Sequence, residues 1–127
     1  MVRKSEFLQH VIETLRAFGE VEARPMFGGW TLRHEGHAFA LVFEDALYFK
    51  GDAENAAEFD ARGLDRFVFE SRRTGEKIET AYRAAPEEAF EDPRVMAEWA
   101  RRGYGAALRA SRAPRRKRSR SARAPRS

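Results

Sequence analysis

Apolar residues near the start of the chain fall at three- and four-residue steps: Phe7, Leu8, Val11, Ile12, Leu15 and Phe18. That spacing lines one face of an α-helix, and Ser5 stands where it can cap the start and Gly19 the end. Past Pro25 the period shortens to two. Trp30 and Leu32, then Phe39, Leu41 and Phe43, then Leu47 and Phe49 alternate with other residues, as along one face of a strand. The breaks at Gly28-Gly29, His34-Glu35-Gly36 and Glu44-Asp45 are short, so the pattern predicts antiparallel hairpins with strands over 24–27, 30–34, 37–43 and 46–50. Asp52 is placed to cap a short helix from Ala53 to Arg62 that stops at Gly63. Phe67 and Phe69, a turn over 73–76, and Ile78, Thr80 and Tyr82 predict a further hairpin. Pro86 precedes a helical turn over 87–90, and Asp92-Pro93 opens a last helix through Val95, Met96, Trp99 and Leu108. Gly103 and Gly105 weaken that helix by about 1 kcal/mol each relative to alanine.

This order of elements predicts an α+β fold, a mostly antiparallel sheet of hairpins with helices packed against it. The expected core is Phe7, Val11, Leu15, Phe39, Leu41, Leu47, Phe49, Phe67, Ile78 and Trp99.

At 127 residues the chain has the size of one domain. Its longest apolar run, Ala38 to Phe43, is six residues, against about 20 for a membrane-spanning helix. The first residues lack the apolar stretch of a signal peptide, so the expected address is cytoplasmic, with no membrane partner. The absence of cysteine excludes disulfides, thiolate nucleophiles and cysteine-based metal centres.

Charge divides the chain into two parts. Residues 1–110 hold 16 Lys and Arg against 20 Asp and Glu, whereas 111–127 hold eight basic residues and no acid. The expected organisation is therefore an α+β domain over 1–110 and a basic tail over 111–127. With no apolar side chain larger than Ala or Pro, the tail is expected to be disordered. Its cations, Arg112, Arg115, Arg116, Lys117, Arg118, Arg120, Arg123 and Arg126, suit phosphate contact without base readout. A purely solubilising role is the alternative.

Several pieces then stand in a characteristic order: Arg24-Pro25-Met26-Phe27-Gly28-Gly29-Trp30, Gly36, Phe39-Ala40-Leu41-Val42, Leu47-Tyr48-Phe49-Lys50, Asn55, Phe67 and Phe69, Tyr82, Pro86-Glu87-Glu88-Ala89 and Trp99-Ala100. Over roughly residues 5–110 the chain resembles the N-terminal domain of the TfoX/Sxy competence-regulator family. The resemblance implies an α+β domain of a bacterial cytoplasmic protein tied to transcriptional control of DNA uptake. It implies a protein partner in the transcription machinery or among its regulators, and no enzyme activity. Longer members carry a second, helical domain where this chain has its basic tail.

The segment Met26-Phe27-Gly28-Gly29-Trp30 is the most distinctive candidate site. Paired glycines permit positive φ and close approach, and the flanking Met and aromatics can wall an apolar groove for a ligand or partner. Equally, the segment can be a bend between strands whose side chains enter the core. His34, Glu35 and His37 flank a turn and lack a third ligand of matching spacing, so no metal site is expected. The pairs Glu44-Asp45, Glu87-Glu88 and Glu91-Asp92 fall at turns or helix starts, where capping accounts for them. Tyr48 and Lys50 with Arg72, Arg73 and Lys77 can form a small basic surface, although Glu70, Glu76 and Glu79 are interspersed. No catalytic residue, metal ligand or cofactor is expected. Two readings stand beside the adapter: a small-molecule binder using the Met26 to Trp30 groove, and a module that associates through a sheet edge. The sequence does not set the oligomeric state.

Overall fold

The structure is a computed structural model that describes residues 5–26 and 28–112. It opens with α1 (Glu6–Thr14), whose Ser5 side chain accepts the backbone N–H of Leu8, and a 3-10 turn over Leu15–Ala17. Four strands follow: β1 (Glu22–Met26), β2 (Gly29–His34), β3 (His37–Phe43) and β4 (Ala46–Phe49). Then come α2 (Ala56–Ala61), β5 (Arg66–Glu70), β6 (Lys77–Ala84), a 3-10 turn over Glu87–Phe90, and α3 (Pro93–Arg112). Among the described residues no helix is long and apolar enough to cross a membrane.

The strands form one six-stranded antiparallel sheet in the order β1-β2-β3-β4-β6-β5. The turn between β3 and β4 puts Glu44 and Asp45 at φ 51° and 57°, a left-handed pair of the kind that closes tight hairpins. The three helices pack against this sheet, which makes the fold α+β. Leu8, Val11 and Leu15 of the first helical segment, Leu32, Phe39, Ala40, Leu47 and Phe49 of the sheet, and Phe59 and Met96 are fully buried between the layers. Removing each of the larger side chains from water contributes about 1.5–3 kcal/mol.

One irregularity decides which side chains reach this core. Leu32 pairs with Ala40 but Arg33 pairs with Ala38, so Phe39 is an extra residue in β3. This bulge breaks the alternation, and Phe39 and Ala40 both bury completely. Beyond it, Ala40 and Val42 pair with Phe49 and Leu47 and share their face. Leu41 lies opposite Tyr48 on the other face. The expected grouping of Phe39, Leu41 and Phe43 on one face is therefore corrected: Phe39 sits under the helices and Leu41 does not.

Helix α3 crosses the sheet closely at Gly103. A Cβ there would lie 2.8 Å from the Phe39 carbonyl oxygen and 3.2 Å from Phe49 Cβ. Three other expectations are corrected. Ile78 is 38% exposed, because its hairpin extends past the helices. Phe7 is half-buried, packed on the rim of the core against Phe90. The second helix spans only Ala56–Ala61, because the Asp52 carboxylate accepts the N–H groups of Glu54 and Asn55 in a turn that precedes it.

Candidate functional site: an aromatic groove on the open sheet face

On the face away from the helices the sheet carries a second apolar cluster. The Phe67 ring of β5 lies 5.4 Å from Phe43 of β3, 4.7 Å from Tyr48 of β4 and 6.0 Å from Phe69 of its own strand. These strands are not neighbours in the sheet order, so the outer hairpin folds its edge toward the middle strands. Phe67 is 8% exposed within this contact, and Leu41 on the same face is 7% exposed. Burial, and after it the charge of Glu44, pushes the Tyr48 phenol above its ordinary pKa, so its hydroxyl keeps its proton at physiological pH.

Beside the cluster runs a groove of about 690 Å³. Phe43, Phe67 and Phe69 line it together with Met26 and Gly28, and Trp30 borders it while its position opposite Val42 packs its side chain against the helix-covered core. Polar groups are confined to Glu44, Glu70, Ser71 and Arg72. Three residues of the sequence-derived candidate segment therefore stand on the groove. Gly28 holds φ +82° in the turn between β1 and β2, a conformation that favours glycine. At Gly29 a Cβ would meet the Val42 carbonyl oxygen at 2.3 Å, so the backbones close up there. Phe27 lies outside the described residues. Met26 is 38% exposed, and its sulfur accepts a hydrogen bond from Thr31 Oγ1 at 3.0 Å.

The remaining sequence candidates are dispersed or engaged. The His34 ring contacts the Glu20 carbonyl oxygen through Nδ1 at 2.7 Å and packs 4.8 Å from Phe18 and 4.9 Å from Tyr104. His37 meets Tyr104 at 6.1 Å. Glu88 pairs with Arg62, and Asp92 accepts the N–H of Arg94 at the start of α3. The basic surface does not assemble: Lys50 stacks on Tyr82, Tyr48 packs on Phe67, and Arg72 belongs to the groove. Of the tail cations, Arg112 is the exposed last residue of α3, and Arg115, Arg116, Lys117, Arg118, Arg120, Arg123 and Arg126 lie outside the described residues.

A polar knot missed by the pattern reading ties the scaffold together. Buried Asn55 accepts the Asp52 N–H at 2.8 Å and donates to the carbonyl oxygens of Lys50 at 3.3 Å and Arg102 at 3.0 Å. Arg109 of α3 donates through Nε and Nη2 to the two oxygens of Asp52 at 2.6 and 3.0 Å. That hydrogen-bonded guanidinium holds the Asp52 carboxyl below the usual carboxylate range against the opposing effect of partial burial. The end of β4, the start of α2 and the last turns of α3 are thereby joined.

The profile of the TfoX N-terminal domain matches residues 13–107. The DNA transformation protein TfoX1 of Aliivibrio fischeri (strain ATCC 700601 / ES114) is 30% identical over 73 residues, covering 58% of this chain and 35% of that protein. The chain thus aligns with about a third of its relative's length.

Proposed function

The chain belongs to the TfoX N-terminal domain family, and on that premise we propose that it is a non-enzymatic regulatory adapter of the competence type. Its folded domain engages a protein partner of the transcription apparatus through the aromatic groove, and its basic tail engages nucleic acid. The observation that carries the reading is the groove itself. Met26, Leu41, Phe43, Phe67 and Phe69 line it on a face the helices leave open, with Glu44, Glu70, Ser71 and Arg72 as its polar groups. Such a lining suits an apolar segment of another protein. The relative's description as a DNA transformation protein and the concentration of basic residues in the tail support the same assignment.

Two measurements on the full chain test it. In the first, binding of a labelled duplex is followed between 50 and 200 mM salt. Contact with about five phosphates gives a slope near −4.5, so affinity falls on the order of 10²- to 10³-fold. Replacing Arg115, Arg116, Lys117 and Arg118 with Ala should flatten the slope about equally for every duplex. Binding that survives the replacements with strong sequence preference would overturn the tail assignment. In the second, Met26→Glu places a charge in the groove. It should abolish capture of transcription proteins from a competent bacterium while leaving the duplex binding intact. Undiminished capture would remove the groove from the reading.

A further inference from the structure

Strand β5 closes one end of the sheet and, among the described residues, pairs only with β6. Its hydrogen bonds fix which backbone groups face outward. Asp65 accepts from Ala84 N at 2.8 Å, the Phe67 carbonyl accepts from Thr80 Oγ1 at 2.9 Å, and Ser71 donates to the Glu76 carbonyl at 2.8 Å. Odd-numbered positions therefore point toward β6. Along a strand successive residues alternate in the direction of their N–H and C=O groups, so those of Arg66, Val68 and Glu70 point to the open edge. Val68 adds an apolar side chain at 46% exposure. The opposite edge differs in that β1 contains Pro25, which has no N–H to offer a further strand, whereas every residue of β5 keeps its N–H and the strand's register shift against β6 falls between Arg66 and Val68.

The five residues of β5, Arg66-Phe67-Val68-Phe69-Glu70, are complementary to themselves when read backwards. A two-fold axis through Val68 sets Arg66 opposite the partner's Glu70, Phe67 opposite the partner's Phe69, and Val68 opposite the partner's Val68. Moving the axis by one residue sets Arg66 opposite the partner's Val68 and unmatches both charges. We propose that β5 is an isologous docking edge for a second copy of this chain, joined antiparallel about Val68 into one continuous sheet. The outward N–H and C=O groups of Arg66, Val68 and Glu70 pair with their counterparts, two bonds per pair. One face gains Arg–Glu pairs at both ends, and the other gains a row of phenylalanines. The joint uses the backbone edge of a strand whose side chains also line the groove, so it goes beyond the groove and tail functions proposed above but adjoins the groove.

Charge exchange tests it on the full chain. Sedimentation equilibrium should show a concentration-dependent dimer. Arg66→Glu or Glu70→Arg alone creates two like-charged oppositions per dimer and should raise its dissociation constant on the order of tenfold or more. An equal mixture of the two variants should recover the dimer as a heterodimer, and the double exchange in one chain should recover it as a homodimer. Circular dichroism melts of each variant check folding, since Arg66 also donates to the Thr80 carbonyl at 3.4 Å. Independently of any variant, amide exchange at Arg66, Val68 and Glu70 should slow as wild-type concentration rises. A wild type that stays monomeric, single variants that dimerise like wild type, or edge amides indifferent to concentration would each overturn the proposal. None of these outcomes bears on duplex binding, and because Glu70 lines the groove it is Arg66→Glu, a position off the groove, whose partner capture is compared with that of Met26→Glu to separate loss of the dimer from loss of the groove.

Discussion

Alanine substituted at Gly103 and at Gly105, two glycines of the same helix, should change stability in opposite directions. Both substitutions gain the same helix-propensity term of about 1 kcal/mol, so the difference between them isolates packing. At Gly105 the new methyl meets only the Arg109 guanidinium, nearest at Nη1 at 3.3 Å, the nitrogen that does not hold Asp52, so a displacement of a few tenths of an ångström relieves it. Gly105→Ala should therefore stabilise by up to about 1 kcal/mol. At Gly103 the methyl would lie 2.8 Å from the Phe39 carbonyl oxygen, 3.2 Å from Phe49 Cβ and 3.3 Å from Lys50 N. Two of those atoms are the ends of one hydrogen bond, Lys50 N to the Phe39 carbonyl at 2.8 Å, at the bulge that places Phe39 in the core. Relief requires lifting α3 from the sheet, at about 1–3 kcal/mol for overpacking, or weakening that bond, worth about 0.5–1.5 kcal/mol. Set against the helical gain of about 1 kcal/mol, the net effect of Gly103→Ala is a loss of up to about 2 kcal/mol. At about 4 °C per kcal/mol for a domain of this size, Tm should fall by up to about 8 °C for Gly103→Ala and rise by up to about 4 °C for Gly105→Ala. Paired thermal melts by circular dichroism, with urea titrations to check the free energies, measure both. If Gly103→Ala proves as stable as Gly105→Ala, the helix does not approach the sheet as closely as described.

Trp99, 5% exposed and 5.2 Å from the Phe59 ring, should cost about 3–5 kcal/mol when truncated to Ala, and an unchanged denaturation midpoint would show that α3 is not anchored there. Asp52 supplies a pH test: its carboxyl is held below its ordinary value first by the hydrogen bond from Arg109, so its contribution is whole above the unfolded pKa of about 3.9 and is lost as pH falls through the lower folded value. The stability gap between wild type and Asp52→Asn, followed by urea melts, should accordingly shrink as pH is lowered through about 4, and a gap that stays constant or widens would refute the pairing with Arg109.

Much of the fold can be read in the chain because local period and local chemistry agree there. The stripe from Leu8 to Leu15 carries its own cap at Ser5, and the hairpin turns fall where the alternation stops. Disagreement arises where one residue changes the parity of everything after it. Phe39, Leu41 and Phe43 alternate perfectly, so a regular strand would put them on one face. The bulge at Phe39 instead sends Leu41 and Phe43 to the open side. A bulge depends on what lies across the sheet and above it, here Leu32, Ala40 and the bare backbone of Gly103. None of these is a neighbour of Phe39 in a periodicity window except Ala40. The glycine in α3, which intrinsic propensity counts only as a weakness, marks where helix and bulge touch.

The same reasoning explains why only one part of the groove's lining was visible beforehand. Met26, the two glycines and Trp30 are conspicuous together because they are adjacent in the chain. Phe67 and Phe69 alternate as any half-buried strand does, and from sequence Phe67 reads as a core partner of Ile78. In the structure β5 is an edge strand whose aromatic side chains reach across to Phe43 and Tyr48, while Ile78 and Val68 remain exposed. Assigning Phe67 to the helix-covered core or to the open face requires the strand order β4-β6-β5. That order is set by a crossover through α2 and the Asp52–Asn55–Arg109 knot. Asn55 is the available signal: a short polar side chain at the start of a short helix that also binds the end of β4 and a late turn of α3. Its three hydrogen bonds hold the outer hairpin's point of departure against α3, and through that attachment a polar residue outside the groove helps set where the rest of that lining stands.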